Sequence, residues 1–207
     1  DEYKGAREAM TSVLNDDQLT VWAQGGLELA RQTVRSWEVA GQYFKVSPRV
    51  VSLMPFNYFI KWTECGSALC RESPALAICY FASSPGVTAL LRSRHIDSWA
   101  NLGSSLYKGT WKSSTLSCKF FEASPALLAS LTVLELGRFV AFLDSLSNRS
   151  YDLSIECLDL GQKVFPVLGE GKDVFLSLVS SLSESNWRQV KGFFEAAARS
   201  LPRIKAD

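Results

Sequence analysis

Tryptophan recurs in this chain at a helical-repeat interval. Trp22, Trp62 and Trp99 are almost evenly spaced, and Phe139 continues the series. Each Trp has a glycine four positions on (Gly26, Gly66, Gly103), and at Phe139 the matching residue is Leu143. Behind each anchor comes a pair suited to a helix start: Ser36-Trp37, Ser73-Pro74, Thr110-Trp111, Ser150-Tyr151 and Asn186-Trp187. Ser, Thr and Asn cap helices because the side-chain oxygen accepts an orphan backbone N–H. Proline suits the first helical position, where its missing N–H costs nothing. An aromatic and a Ser-Pro close the unit: Phe44 with Ser47-Pro48, Phe81 with Ser84-Pro85, Phe121 with Ser124-Pro125.

The internal spacings are tighter than the overall period. The interval from Ser-Pro to the next anchor is identical in all three cases: Ser47 to Trp62, Ser84 to Trp99 and Ser124 to Phe139. The interval from anchor to helix start is identical for Trp62, Trp99, Phe139 and Phe175, and longer by three for Trp22. The interval from start to Ser-Pro is identical for Ser36 and Ser73, and longer by three for Thr110. Steps of three are close to one helical turn, so a helix can lengthen without rotating its buried face. Apolar residues recur at helical spacing and alternating strand patterns are almost absent.

The pattern predicts an all-α chain, an α-solenoid of four to five stacked repeats of about 37–40 residues. With Ser-Pro read as a helix stop, each unit contains three helices, about thirteen in all. Residues 1–207 form one repeat domain with units at 17–53, 55–92, 94–131, 134–168 and 172–204. Residues 1–15 read as the end of a preceding unit or an N-terminal cap. The first helix of unit one carries Leu19, Trp22, Leu27 and Leu29, and its second carries Trp37, Ala40 and Phe44. The last unit carries Phe175, Trp187, Phe193-Phe194 and Pro202. On this reading the aromatics of Trp99–Pro125 are committed to packing.

Helical units of this size resemble the HEAT and armadillo class of α-solenoids, a resemblance that covers nearly the whole chain and concerns architecture. The pattern W-x3-G-x2-L … F-x2-SP also resembles the helical region of bacterial proteins that carry a von Willebrand factor A domain and partner MoxR-type AAA+ ATPases. These include nitric-oxide-reductase activation proteins and rubisco-activase adaptors. That resemblance implies a helical part that helps assemble a remodelling complex, with the metal-ion adhesion site in the other domain. The chain has no DxSxS motif, so on this reading that domain lies outside it.

Composition narrows the chemistry. The net charge of +1 gives no bulk attraction to nucleic acid or an anionic membrane. A single His, His95, leaves a His-based metal site short of ligands, and it reads as a turn residue beside a helix start at Asp97. Asp16-Asp17 and Glu170-Gly171-Lys172-Asp173 are too short for metal loops and read as helix capping. Gly25-Gly26 lies inside a helical pattern without the rest of a phosphate loop. No Ser/His/Asp or Cys/His motif is visible, so neither a catalytic residue nor a cofactor is assigned. The five Cys (65, 70, 79, 118, 157) lack CxxC spacing and read as reduced, buried thiols of a cytoplasmic protein. The longest uncharged run, Ser73–Leu91, could span a bilayer on length, but Ser83-Ser84-Pro85-Gly86 reads as a helix-to-helix turn that breaks it.

The expected function is a non-enzymatic scaffold or adaptor that binds a protein partner, because stacked helices present a long surface. Arg35, Arg71, Lys108 and Arg149 precede the helix starts by one or two positions and would line one edge. They read either as cations offsetting helix C-termini or as a ridge for an acidic partner or a phosphate backbone. The competing class is a nucleic-acid-binding HEAT-like protein, including the helical-repeat DNA glycosylases. It requires a basic concave face that the neutral charge balance does not supply. Exposed residues that differ between copies, such as Lys112 and Lys119, are where specificity would reside.

Overall fold

A computed structural model describes the backbone of residues 2–204 and the side chains of residues 2–200, so the side chain of Pro202 lies outside the described residues. The described residues form eleven α-helices and three short 3-10 turns, with no strand. The helices are α1 (Glu2–Thr11), α2 (Asp16–Arg31), α3 (Ser36–Val51), α4 (Phe56–Glu72), α5 (Pro74–Thr88) and α6 (Ile96–Ser105). They continue with α7 (Trp111–Leu128), α8 (Val133–Ser147), α9 (Tyr151–Leu168), α10 (Lys172–Asn186) and α11 (Val190–Ile204). His95 ends the 3-10 turn Ser93–His95 that leads into α6.

There are two helices per sequence period rather than three, because Ser-Pro does not stop the helix. Pro48, Pro85 and Pro125 lie inside α3, α5 and α7, each within the last turn. A proline there removes one N–H and leaves the rest of the ladder intact. The preceding serine is buried and donates to the carbonyl of the previous turn: Ser47 to Tyr43 (2.6 Å), Ser84 to Tyr80 (2.7 Å) and Ser124 to Phe120 (2.7 Å). The helix continues past each proline, and Val50, Val87 and Leu127 are buried on it. Ser83–Gly86 accordingly sits within α5 and is not a turn. No described helix is long and apolar enough to cross a membrane.

Helix starts are set by local capping, with some departures from the sequence pattern. Thr110 and Ser150 are N-caps that accept from Ser113 N (3.2 Å) and Leu153 N (3.4 Å). Asn15 and Thr132 close capping boxes with Gln18 and Glu135, so Asp16 and Asp17 sit in the first turn of α2. Ser73 occupies the N-cap position of α5 without a side-chain cap bond, ahead of Pro74. Ser36 lies inside α3 and works on the preceding chain, donating to Ala30 O (2.9 Å) and Thr33 O (2.7 Å). Asn186 ends α10 and a 3-10 turn, Trp187–Gln189, precedes α11.

The chain divides into two compact units, Asp1–Ser104 and Ser105–Asp207. In the first, α3 packs against α1, α2, α4 and α5, and α2 and α5 both pack against α4. Trp22 and Trp62 are buried, and each meets the Phe of the following helix edge to face: Trp22–Phe44 at 5.2 Å and 80°, Trp62–Phe81 at 4.9 Å and 74°. The glycines make this approach possible. A Cβ at Gly26 would lie 2.0 Å from Phe44 Cζ, and one at Gly66 would lie 2.0 Å from Phe81 Cζ. Buried polar groups tie the layers together. Tyr43 donates to Trp22 O (3.1 Å), Tyr80 to Trp62 O (3.2 Å), and Trp62 Nε1 to Ser84 Oγ (2.7 Å). Burial pushes both phenols above their ordinary pKa, which keeps them as donors.

In the second unit α9 packs against α7, α8 and α11, and α10 packs against α8 and α11. Its centre is a cluster of phenylalanines. Phe139 and Phe165 meet edge to face at 4.8 Å and 80°, and Phe194 touches Phe139, Phe142 and Phe175. Leu143 is fully buried where the first unit has glycine. The space is supplied by Gly161 on α9, where a Cβ would lie 2.7 Å from Phe139 Cζ.

Candidate interaction surfaces

The four basic positions are held by local acceptors. Arg35 has left-handed backbone (φ 71°) at the N-cap of α3, and its guanidinium bonds Glu38 Oε1 at 2.9 and 3.0 Å. Arg71 reaches Ser67 Oγ at 3.4 Å. Lys108 pairs with Asp144 (2.7 Å) and donates to Asn148 (2.8 Å). Arg149 donates to the carbonyls of Ser183 (2.6 Å) and Glu184 (3.2 Å) near the end of α10, where a cation offsets the helix dipole. Each therefore has a local partner on its own or a neighbouring helix.

Within each unit, even-numbered helices meet along shallow grooves with a common register. Count from the anchors Trp22, Trp62, Trp99, Phe139 and Phe175. Residues at −1, +2, +3 and +6 face the next even helix: Val21, Gln24, Gly25 and Glu28 on α2; Lys61, Glu64, Cys65 and Ala68 on α4; Arg138, Ala141, Phe142 and Ser145 on α8. The facing helix answers with −2, +1, +2 and +5. On α4 these are Ile60, Thr63, Glu64 and Ser67, and on α6 Asp97, Ala100, Asn101 and Ser104. On α10 they include Leu176, Ser177 and Ser180, and Asp173, which accepts from Arg138 at 2.6 Å. Gln32 bonds Ser67 across the α2–α4 groove, and Ser104 bonds Glu72 (2.9 Å) across the α4–α6 groove. These grooves are the seams of helix packing, polar at their mouths.

Exposed aromatics are what the spacing alone does not reveal. Trp111 is 74% exposed and Trp37 68%, although the repeat pattern predicts both to pack inward. They occupy the first turn of α7 and α3, on the opposite side from the buried faces that contain Leu116 and Phe120, and Val39 and Tyr43. Leu27, expected on the inner face of α2, is also exposed, because the buried stripe runs through Trp22, Gly26 and Leu29. Lys112 lies over the Trp111 ring (5.7 Å) and the Tyr151 ring (6.0 Å), forming a cation–aromatic cluster at the start of α7 and α9. One signal for this is in the sequence: Trp37 and Trp111 each follow directly on a helix-start residue, ahead of the first buried position of the stripe.

All five cysteines are thiols. Cys70 and Cys157 are buried, while Cys65, Cys79 and Cys118 are half-buried rather than enclosed as the sequence predicts. Burial pushes the Cys65 thiol up to about 11 and Cys157 up to about 12, so both stay protonated and poorly nucleophilic at neutral pH. Among the described residues no group of three or more His, Cys, Asp or Glu side chains is placed to hold a metal ion. No protein-family model matches the chain, and neither a curated protein nor a solved structure does.

Proposed function

We propose that the chain is a HEAT/armadillo-like α-solenoid that acts as a non-enzymatic protein-interaction scaffold, with the Trp111–Lys112–Tyr151 cluster as its contact edge. The observation that carries this reading is the contrast between the two classes of aromatic. The anchor rings are buried in packing, whereas Trp111 stands in solvent with a cation beside it. Exposed Trp with adjacent basic groups is typical of the residues that dominate protein interfaces. The recurring groove register supports stacked repeats, since equivalent positions line the groove in three places. The motif resemblance makes a MoxR-type AAA+ ATPase the partner to test first, with this chain as the helical part of a larger ATPase-associated protein. Lys108 and Arg149 are engaged locally, which favours a protein partner over a phosphate backbone.

The test is binding of the chain to a MoxR-type ATPase, measured by interferometry with wild type and Trp111→Ala. The substitution is expected to weaken binding by about tenfold or more while leaving the urea midpoint unchanged, since an exposed ring contributes little to stability. Unchanged affinity would remove the edge from the interface, and no binding by wild type would remove the ATPase assignment. Tight duplex-DNA binding with a steep salt dependence would favour the nucleic-acid reading instead.

A further inference from the structure

The joint between α2 and α3 carries an apolar tip on strained backbone. Val34 is 89% exposed and Trp37 68%, more than any other large apolar residue described in the first unit. Among the described residues the Trp37 ring meets no other aromatic ring and no cation, whereas Lys112 lies over the Trp111 ring. Between Val34 and Trp37 stands Arg35, the one described non-glycine residue with positive φ (71°). The matching joint of the second unit has φ 72° at Gly109, which precedes Thr110-Trp111 as Arg35 precedes Ser36-Trp37. The turn therefore calls for left-handed backbone, which glycine takes freely and a residue with a Cβ does not. Arginine stands there in spite of the strain, and strain held at an exposed point indicates a side chain with a use of its own. Its guanidinium is pre-set by the two bonds to Glu38 Oε1.

The charge around this tip comes from two helix ends. Ser67 Oγ on α4 accepts from Gln32 Nε2 and from Arg71 Nη1 (3.4 Å), which brings the last turn of α4 to the α2–α3 joint. Arg31 lies in the last turn of α2 and has no acidic partner among the described residues. The neighbouring carboxylates are both engaged, Glu38 by Arg35 (2.9 Å) and Glu72 by the Ser104 hydroxyl (2.9 Å). An apolar tip with guanidinium groups around it is the result.

We propose that this joint is a docking point for an acidic protein segment, whose apolar side chains pack on Val34 and Trp37 and whose carboxylates take Arg31 and Arg71. Trp and Arg are the side chains that dominate binding energy at protein interfaces, and the guanidinium fork matches a carboxylate. Charge complementarity decides the occupant, because a basic segment would meet Arg31, Arg35 and Arg71 with no unengaged carboxylate to take its cations. A phosphate backbone would use the guanidinium groups and leave Val34 in water, whereas a protein segment uses both. The site lies wholly in the first unit and does not depend on the Trp111 edge.

Fluorescence anisotropy on the full chain tests it. The probe is a short labelled peptide in which Leu and Phe alternate with Asp and Glu, and a second peptide carries Lys at every acidic position. Wild type is expected to bind the acidic peptide, more weakly as salt is raised, and not the basic one. Trp37→Ala is expected to weaken binding about tenfold or more, and Val34→Ser about threefold or more, both with unchanged far-UV circular dichroism. Combining Arg31→Glu with Arg71→Glu is expected to abolish it. Arg35→Gly is expected to weaken binding without lowering the urea midpoint, because glycine relieves the left-handed backbone. Trp111→Ala is expected to bind this peptide like wild type, so the outcome is separate from that of the ATPase experiment. The proposal is overturned if the acidic peptide does not bind, if the basic one binds as well, or if Trp37→Ala and Val34→Ser both bind like wild type. Loss of peptide binding in Trp111→Ala overturns it by moving the site to the other edge. Duplex DNA or phosphatidylserine vesicles that bind wild type but not Trp37→Ala, where the peptide does not, would give the joint to nucleic acid or to a membrane surface instead.

Discussion

In α2–α5 glycine sits on the even-numbered helix and the ring that fills its space sits on the odd-numbered one. In α8–α9 the arrangement is exchanged: Leu143 occupies the even helix, and Gly161 on α9 admits Phe139. The aromatic pair that results has almost the same geometry in all three places, 4.8 to 5.2 Å between centroids and 74° to 80° between planes. The requirement is therefore a close helix approach built from one small and one large residue, and either helix can supply either part. Edge-to-face contact adds stabilisation beyond area burial, so the pair is kept while its supporting residues change sides. The two units also differ in polarity. The first is cross-tied by buried Tyr and Trp hydrogen bonds, and the second has a phenylalanine cluster at its centre.

The sharpest way to break this comparison is to impose the first unit's glycine on the second. Leu143→Gly restores the sequence pattern, yet it is expected to destabilise by about 3–5 kcal/mol in urea titration, from the cavity left by a buried Leu and the helix cost of Gly. A neutral or stabilising result would mean that the repeat pattern, rather than the local exchange, governs packing. In the opposite direction, Gly66→Ala is expected to cost about 1–3 kcal/mol through overpacking against Phe81. Adding Phe81→Leu should recover part of that loss in a double-mutant cycle, because the two residues share one contact. Additivity in the cycle would show that the glycine serves something other than the ring.

The hydrogen-bonded ties give the next effect. Tyr80→Phe removes the donor to Trp62 O and is expected to cost about 1 kcal/mol. No loss of stability would show that the first unit's polar ties add nothing to its apolar packing.

A further comparison is one of pH and sets a thiol from each unit side by side. The unfolded thiol titrates near 9.0, the folded Cys65 at about 11 and the folded Cys157 at about 12. Above pH 9 the unfolded chain releases protons that the folded chain retains. Stability therefore falls as pH rises through this range, and it is fully present below it. Under reducing conditions, Cys157→Ala is expected to remove more of the alkaline loss between pH 9 and 12 than Cys65→Ala. The reverse order would place the stronger burial in the first unit.

Much of the helical organisation was legible in the residues. Thr110 and Ser150 cap helices as their side chains predict, because capping is decided within one turn of chain. Trp22, Trp62 and Trp99 are buried, as the recurring Trp–Gly spacing implies. Ser-Pro misled, since a proline in a helix's final turn removes one N–H and leaves the rest of the ladder intact. The candidate edge was only half legible. Lys112 stood out as a residue that varies between copies, but the exposure of Trp111 beside it did not.

The sequence by itself determined helix, period and the identity of the buried anchors, because propensity, capping and helical periodicity act over a short stretch of neighbouring chain. Only the tertiary structure decided which helix of each pair yields space to the other's ring, and which apolar residues stay in water. Those outcomes depend on atoms that approach from another helix. Gly66 is on α4 and its ring, Phe81, on α5; Phe139 is on α8 and its glycine, Gly161, on α9. No window of sequence can show that the second pair does the work of the first until the helices are laid side by side.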